Sequence, residues 1–329
     1  MDLDDLAVKP PATDPAEVRR RHAANRAAWN QGAAWYRDAN ADRVAFLREG
    51  GSNLHPVERA NLGDLRAWCR SAVHLQCASG QDTLSLLNEG VGRVVGIDIA
   101  DAHIDNARAT SAALGAPATW YRCDVLDTPH ELDGSADLVY SGRGALNWLH
   151  DLDGWAAVVA RLLAPGGILH LFDGHPFIWL LDPDATGYAF LGIGYFDHAE
   201  ASTGWPDEYI GDLGIDEADI AEKHERLWNF ADIFAALAGA GLQIRHLGEH
   251  AEGYWQEFPN LDESLRGQLP LTFSLVAARA GETTRWPGPA TAAAQPPARE
   301  PAPPRPSRRR TENLAVLAVE VVNARLPLR

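Results

Sequence analysis

The stretch Val73-His74-Leu75-Gln76-Cys77-Ala78-Ser79-Gly80-Gln81-Asp82-Thr83 decides the fold. A short apolar run ends in small residues and one glycine, and a helical pattern starts at Asp82. A strand running through a tight turn into a helix lets backbone N–H groups approach a ligand, and the helix start favours its negative group. A second run, Arg93–Asp98, follows, and Asp98 stands 22 residues beyond Gln76. A carboxylate at the end of that strand can accept from both hydroxyls of a ribose. Asp124 directly follows a third run, Thr119–Cys123, where an acid can accept from an adenine amine.

The same alternation continues on both sides of these positions. Helix patterns cover Asp82–Asn88, Asp101–Leu114 and Gly154–Leu163, and further apolar runs cover Ala136–Ser141 and Ile168–Phe172. Strands alternating with helices predict βαβ units and a parallel, buried sheet with right-handed crossovers. Upstream, residues 25–72 have helical character and read as an N-terminal helical lid, whereas residues 1–24 are polar with three prolines and read as a flexible arm. After Asp173 the alternation stops. Residues 174–227 are aromatic and acidic, and an excursion of that length reads as a cap. Regularity returns with helix Phe230–Gly241, strand Leu242–Leu247 and strand Leu271–Ala278. Residues 281–329 are rich in Pro, Ala and Arg and read as a largely disordered tail, within which Leu314–Val322 is apolar.

Composition excludes several function classes. The chain has 329 residues and a net charge of -16. The tail carries eight Arg against four Glu, which leaves residues 1–280 near -20. A body so acidic is a poor partner for nucleic-acid phosphates. Cys69, Cys77 and Cys123 form neither a disulfide framework nor a zinc pattern, and among the 12 His only His246 and His250 share a ligand-like spacing, so no metal is expected. The start of the chain lacks a signal peptide's regions and no apolar run is long enough to span a bilayer. The expectation is a soluble, cytoplasmic protein, monomer or homodimer, acting on a small molecule, with no nucleic-acid or membrane partner.

Taken with Gly96-Ile97-Asp98-Ile99, Cys123-Asp124-Val125, Tyr140-Ser141-Gly142-Arg143-Gly144-Ala145-Leu146-Asn147-Trp148, Ala164-Pro165-Gly166-Gly167 and Gly174-His175-Pro176, the chain resembles the class I S-adenosylmethionine (SAM)-dependent methyltransferases. Within them it resembles a bacterial small-molecule group whose first motif reads His-Leu-Gln-Cys-x-x-Gly-x-Asp-Thr. The resemblance covers about residues 25–280. It implies a Rossmann-like α/β fold with a seven-stranded, mostly parallel sheet and an antiparallel last strand. Helices would cover both faces, with an N-terminal helical lid and an insertion after strand five, so that residues 73–280 form the SAM-binding domain and 174–227 its cap.

The resemblance also implies residue roles. Gln76, Ala78, Ser79 and Gly80 would wrap the methionine end of SAM, with Asp82 and Thr83 opening the following helix. Asp98 would hold the ribose, Ile99 would pack on the adenine, and Asp124 and Val125 would bind its edge. Ser141 and Gly142 would lie under the sulfonium, and Trp29, Asn30 and Tyr36 would belong to the closing helix. His175 after strand five is the candidate general base, with Tyr140 a further catalytic candidate. Trp148, Trp179, Tyr195 and Trp255 are candidates for the acceptor pocket. The broad class usually has an acid at the place of His74 and glycines at those of Gln76 and Ala78, so only Gly80 remains of the glycine triplet.

Structural roles compete with these. Asp98 can cap a helix, Asp124 can shape a turn, and Gly80 can serve strand–helix packing. His74, Trp29 and Tyr36 can be core, and His175-Pro176 can shape a loop. Three functions stay open besides methyl transfer with S-adenosylhomocysteine as product. SAM could be used for intramolecular cyclisation, the fold could be a non-catalytic SAM-binding module, or the chain could be a nicotinamide-dependent dehydrogenase. The last lacks its GxGxxG turn here.

Overall fold

The computed structural model describes residues 7–289 apart from 39, 197, 206–208 and 256. Its strands are β1 (Ala7–Lys9), β2 (Ser71–Leu75), β3 (Arg93–Asp98), β4 (Ala118–Arg122), β5 (Ala136–Gly142), β6 (Leu163–Gly174), β7 (Ala199–Thr203), β8 (Glu222–Arg226), β9 (Leu242–His250) and β10 (Thr272–Arg279). Its helices are α1 (Pro15–Asp38), α2 (Asn40–Arg48), α3 (Pro56–Leu62), α4 (Leu65–Trp68), α5 (Gln81–Asn88), α6 (Asp101–Leu114), α7 (Leu152–Leu162), α8 (Phe230–Gly239) and α9 (Glu263–Arg266).

Seven strands form one sheet in the order β4-β3-β2-β5-β6-β10-β9. Strands β2 to β6 pair parallel, and the last strand β10 runs antiparallel to both β6 and β9. This is the Rossmann-like arrangement with a reversed final strand. The order turns at β2, between β3 and β5, and ligands of open α/β sheets bind beyond the strand ends at such a switch point.

Strand alternation explains the two-sided core. Val73, Leu75, Val95, Ile97, Val139, Leu169, Leu171 and Leu275 face α7 and α8, where Trp155, Val159 and Leu237 are buried with them. Ala72, Val94, Leu138, Ile168 and Val276 face the other way, onto Leu62, Leu65 and Trp68 of α3 and α4. Strands buried on both faces need apolar residues at successive positions, which is why they read as continuous runs.

Three boundaries differ from the sequence reading. The stretch read as an arm to residue 24 is helical from Pro15, and Ala7–Lys9 pairs with β7. Its buried residues Val18, Arg21 and His22 supply the reason, because they pack on the body where an arm would be solvated. The excursion 174–227 is only partly irregular. Its β7 and β8 join β1 in a three-stranded antiparallel sheet. Of the tail, residues 281–289 turn back on the body. Arg285 N–H donates to Gly166 O, and the buried Trp286 indole donates to Asn61 O at 2.6 Å. Residues 290–329, with Leu314–Val322 among them, lie outside the described residues. Among the described residues no helix is long and apolar enough to cross a membrane, and no group of three or more His, Cys, Asp or Glu could hold a metal ion.

Candidate functional site

A cavity of about 360 Å³ opens beyond the C-terminal ends of β2, β3 and β5, with α1 across it. Its floor is the turn after β2. Gln76 and Ala78 have φ of 58° and 45°, and Gly80 has 77°. Left-handed backbone costs a side-chain-bearing residue roughly 1–2 kcal/mol. The turn therefore keeps a glycine-type path at two positions that are not glycine. Gly80 itself has a packing reason as well: a Cβ there would meet the Trp120 ring at 2.4 Å and Ala107 Cβ at 2.9 Å. The Gln76 side chain bridges to the loop after β5, its amide donating to Ala145 O at 2.6 Å, while its Oε1 is buried with no partner in the chain.

Asp98 lines the cavity from the end of β3. Its two oxygens accept from Ala78 N–H and Ala100 N–H, each at 2.8 Å, so the residue braces both the turn after β2 and the residue that leads into α6. Burial pushes its carboxyl up to about 6, although those N–H groups pull the other way. Asp124 differs. Burial raises it too, but His22 and Arg19 outweigh burial and hold it below the ordinary aspartate value. His22 Nδ1 and Arg19 Nη1 each lie 2.8 Å from its Oδ2. Both partners come from α1, so the helix is pinned to the end of β4 by charge.

Arg143, with φ 58°, lies at the cavity edge. It is paired to the fully buried Glu58 and, at 3.4 Å, to Asp82. Burial raises Asp82, and Arg143 opposes this. Asp173 closes the same loop from below, accepting from Gly144 N–H at 2.6 Å and Leu146 N–H at 3.1 Å.

Of the residues singled out in the sequence, Tyr36, Gln76, Ala78, Ser79, Gly80, Asp82, Asp98, Ile99, Asp124, Val125, Gly142, Trp148 and Trp255 line this one cavity. Others stand apart from it. Thr83 lies beneath the turn, its hydroxyl 2.8 Å from His74 Nδ1. Ser141 is fully buried within β5. Tyr140 donates to Glu58 inside the core, which makes it a member of a buried ion-pair network and not an acid or base facing a ligand. Trp179 borders a separate small cavity of about 30 Å³. Tyr195 packs edge-on to Phe196, 5.3 Å between centroids, outside both.

His175 is not among the residues lining the cavity. Its Nδ1 accepts from Phe177 N–H at 3.1 Å, capping the short 3₁₀ turn Pro176–Leu180, and its Nε2 lies 2.9 Å from Glu249. Its ring meets Phe230 edge-on at 5.0 Å. Both nitrogens are engaged away from the cavity because the chain turns at the end of β6, and Asp173, not His175, underlies the cavity loop.

The sequence reading had assigned no role to several lining residues. Among them, His22 and Asn25 join Trp29 and Tyr36, already read as part of the closing helix, in one stripe of α1 at helical spacing, and that spacing was the available signal. Asn25 ties this stripe down, donating to Trp148 O and His224 O and accepting from His224 N–H. His103 lies between Trp29 and Tyr36, with centroids at 5.3 and 4.9 Å; burial lowers it to about 3, and its Nε2 has no partner in the chain. Tyr209 and Tyr254 arrive from loops far apart in sequence, and no local pattern marked them.

Residues 72–167 match the family model described as a methyltransferase domain. Among solved structures, the chain is similar to a SAM-dependent methyltransferase from Mesorhizobium loti, at 22% identity and TM-score 0.47, covering 65% of this chain and 92% of that one. It is also similar to a SAM-dependent methyltransferase from Clostridium acetobutylicum, at 14% identity and TM-score 0.45, covering 64% and 84%. Likeness to the geranyl diphosphate C-methyltransferase of Streptomyces coelicolor is 16% in identity with a TM-score of 0.43, covering 67% and 76%. The match over 72–167 runs from β2 to the start of β6, the strands whose ends bound the cavity.

Proposed function

We propose that this chain is a class I SAM-dependent methyltransferase that methylates a small-molecule acceptor. One observation carries the reading. The left-handed turn after β2, the carboxylate ending β3 and the carboxylate following β4 line a single cavity at the switch point of the sheet.

The residues present suit SAM. Gln76 Oε1 is a buried acceptor without a partner, which fits an ammonium, and Arg143 beside it would meet the neighbouring carboxylate. Asp98 still has acceptor capacity for two ribose hydroxyls after its two backbone bonds, since an ionised carboxylate has about four acceptor sites. Ile99 and Val125 would flank the adenine, with Asp124 at its edge in company with Arg19 and His22. Bound SAM supplies an activated methyl group on a sulfonium. The chain's own work is to align the acceptor with that group and to keep water out. The aromatic residues of α1 and of the cap do the second task by closing over the mouth.

Product analysis tests the reading. The full chain, incubated with SAM and a panel of small amines, alcohols and carbon acids, is expected to yield S-adenosylhomocysteine. Methylthioadenosine as the product would mean cyclisation of the amino-acid arm, and no binding of S-adenosylhomocysteine by calorimetry would leave only a scaffold.

A further inference from the structure

The outer half of the cavity is a belt of aromatic rings. Trp29 meets Trp148 edge-on at 5.2 Å and Tyr209 at 6.3 Å. Tyr209 bonds the Tyr36 hydroxyl and meets Trp255 at 4.7 Å, and Trp255 meets Tyr254 at 5.6 Å. All six line the cavity. They come from α1, the loop after β5, the cap and the loop after β9, so the belt exists only in the folded chain. Trp205 backs it, 4.4 Å from Trp29.

Charge around the belt selects the ligand. Among the described residues lining the cavity, the one Arg is Arg143, and it is already paired with Glu58 and Asp82. With Arg143 also assigned to the cofactor's carboxylate, a carboxylate or phosphate acceptor would find no further Arg or Lys there. Behind Trp148, the neighbouring Asn147 donates to Glu225 at 2.6 Å, and Glu200 lies opposite Glu225 in the cap sheet. Both carboxylates are sheltered in this layer together with the cation Lys223, whose Nζ sits 5.4 Å from the Trp205 centroid. The wall thus already holds a cation against a ring face in its outer layer. Ring faces attract cations within about 6 Å, most strongly when water is excluded.

We infer that this belt is a cage for an alkylammonium group, and that the acceptor is an alkylated amine carried toward the quaternary state. This rests on the methyltransferase reading and names the acceptor class within it. The amine lone pair forms the new N–C bond as the C–S bond breaks, sulfur keeping that electron pair. The positive charge moves from sulfur to nitrogen. The ammonium form that the cage recognises must first give its N–H proton to water; the free tertiary amine then has no further proton to release in the transfer step.

Binding decides it. The full chain loaded with S-adenosylhomocysteine is titrated by calorimetry with choline and with its uncharged carbon isostere, 3,3-dimethylbutan-1-ol. Choline is expected to bind about tenfold more tightly or better. Trp255 is half-exposed, so its replacement spares the core. Trp255→Phe should keep the preference and W255L should lose most of it, with affinity for S-adenosylhomocysteine unchanged in both. Equal affinity for the two probes overturns the proposal, as does a preference for choline that W255L leaves intact. If S-adenosylhomocysteine does not bind at all, the methyltransferase reading fails, and the same titration of the free chain still decides the cage.

Discussion

Two residues show how far local chemistry reaches. Asp98 is buried, and burial holds its carboxyl near 6, above the value of about 3.9 for a free aspartate. The folded chain therefore keeps this proton more tightly than the unfolded one. That contributes stability below about pH 4, lost as pH rises through about 6. A ribose donating two hydroxyls prefers the ionised form, so affinity for S-adenosylhomocysteine should rise as pH rises through about 6. Asp98→Asn should flatten that profile and weaken binding by about 10–100-fold, as expected for lost charge-assisted bonds; calorimetry from pH 5 to 8 reads both. An affinity independent of pH in the native chain would count against the ribose contact. His175 has the opposite character. Its ring caps a short turn and faces Glu249, so His175→Ala should cost about 0.5–2 kcal/mol in urea unfolding. Turnover should stay close to native, and a fall of about 10²-fold or more would restore it as a base.

At the scale of elements, α1 is the part that makes the strand ends into an enclosed site. Arg19 and His22 pin its first turns to Asp124, Asn25 ties its middle to the loop after β5 and to β8, and Trp29 and Tyr36 close the mouth. A chain beginning at Asn25 keeps the seven-stranded sheet but loses β1 and both partners of Asp124. It is expected to fold, with native-like far-UV circular dichroism, and to bind S-adenosylhomocysteine about tenfold more weakly or worse, the scale of one or two lost charge-assisted bonds. Unchanged affinity would mean that α1 covers the cavity without holding it. Helical stretches elsewhere behave as their sequences suggest. The helix Asp101–Leu114 ends at Gly115 with φ 63°, a left-handed cap that glycine adopts without cost.

At the scale of the whole molecule, the end of the described chain is part of the body. Trp286 fills the space between α3 and the α3-facing side of the sheet, beside Leu54, Leu62, Val276 and Ala278. Arg285 pairs with Asp137, whose carboxylate also accepts Arg70 N–H at 2.8 Å ahead of β2. A chain ending at residue 289 should retain native stability. One ending at residue 282 should lose about 3–5 kcal/mol, the usual cost of removing a buried tryptophan side chain. Equal unfolding midpoints for the two would show that the Trp286 site refills when emptied.

What the sequence by itself determined is the sheet and the floor of the site. Buried parallel strands must be apolar on both faces, and the residues that end them sit at one edge, so Gln76, Asp98 and Asp124 were legible by position alone. Tertiary structure decided the rest. That Gln76 and Ala78 keep a glycine-like backbone, that Asp124 is claimed by Arg19 and His22, and that His175 turns away toward Glu249 are outcomes of packing between segments far apart in sequence, 102 residues in the His22–Asp124 pair. The aromatic belt is of the same kind. Tyr209 and Trp255 meet at 4.7 Å from loops with no periodicity of their own, and a contact without a repeat leaves no pattern in the sequence. Periodicity reports which face of an element is buried, while the partner that buries it is chosen only when the elements come together.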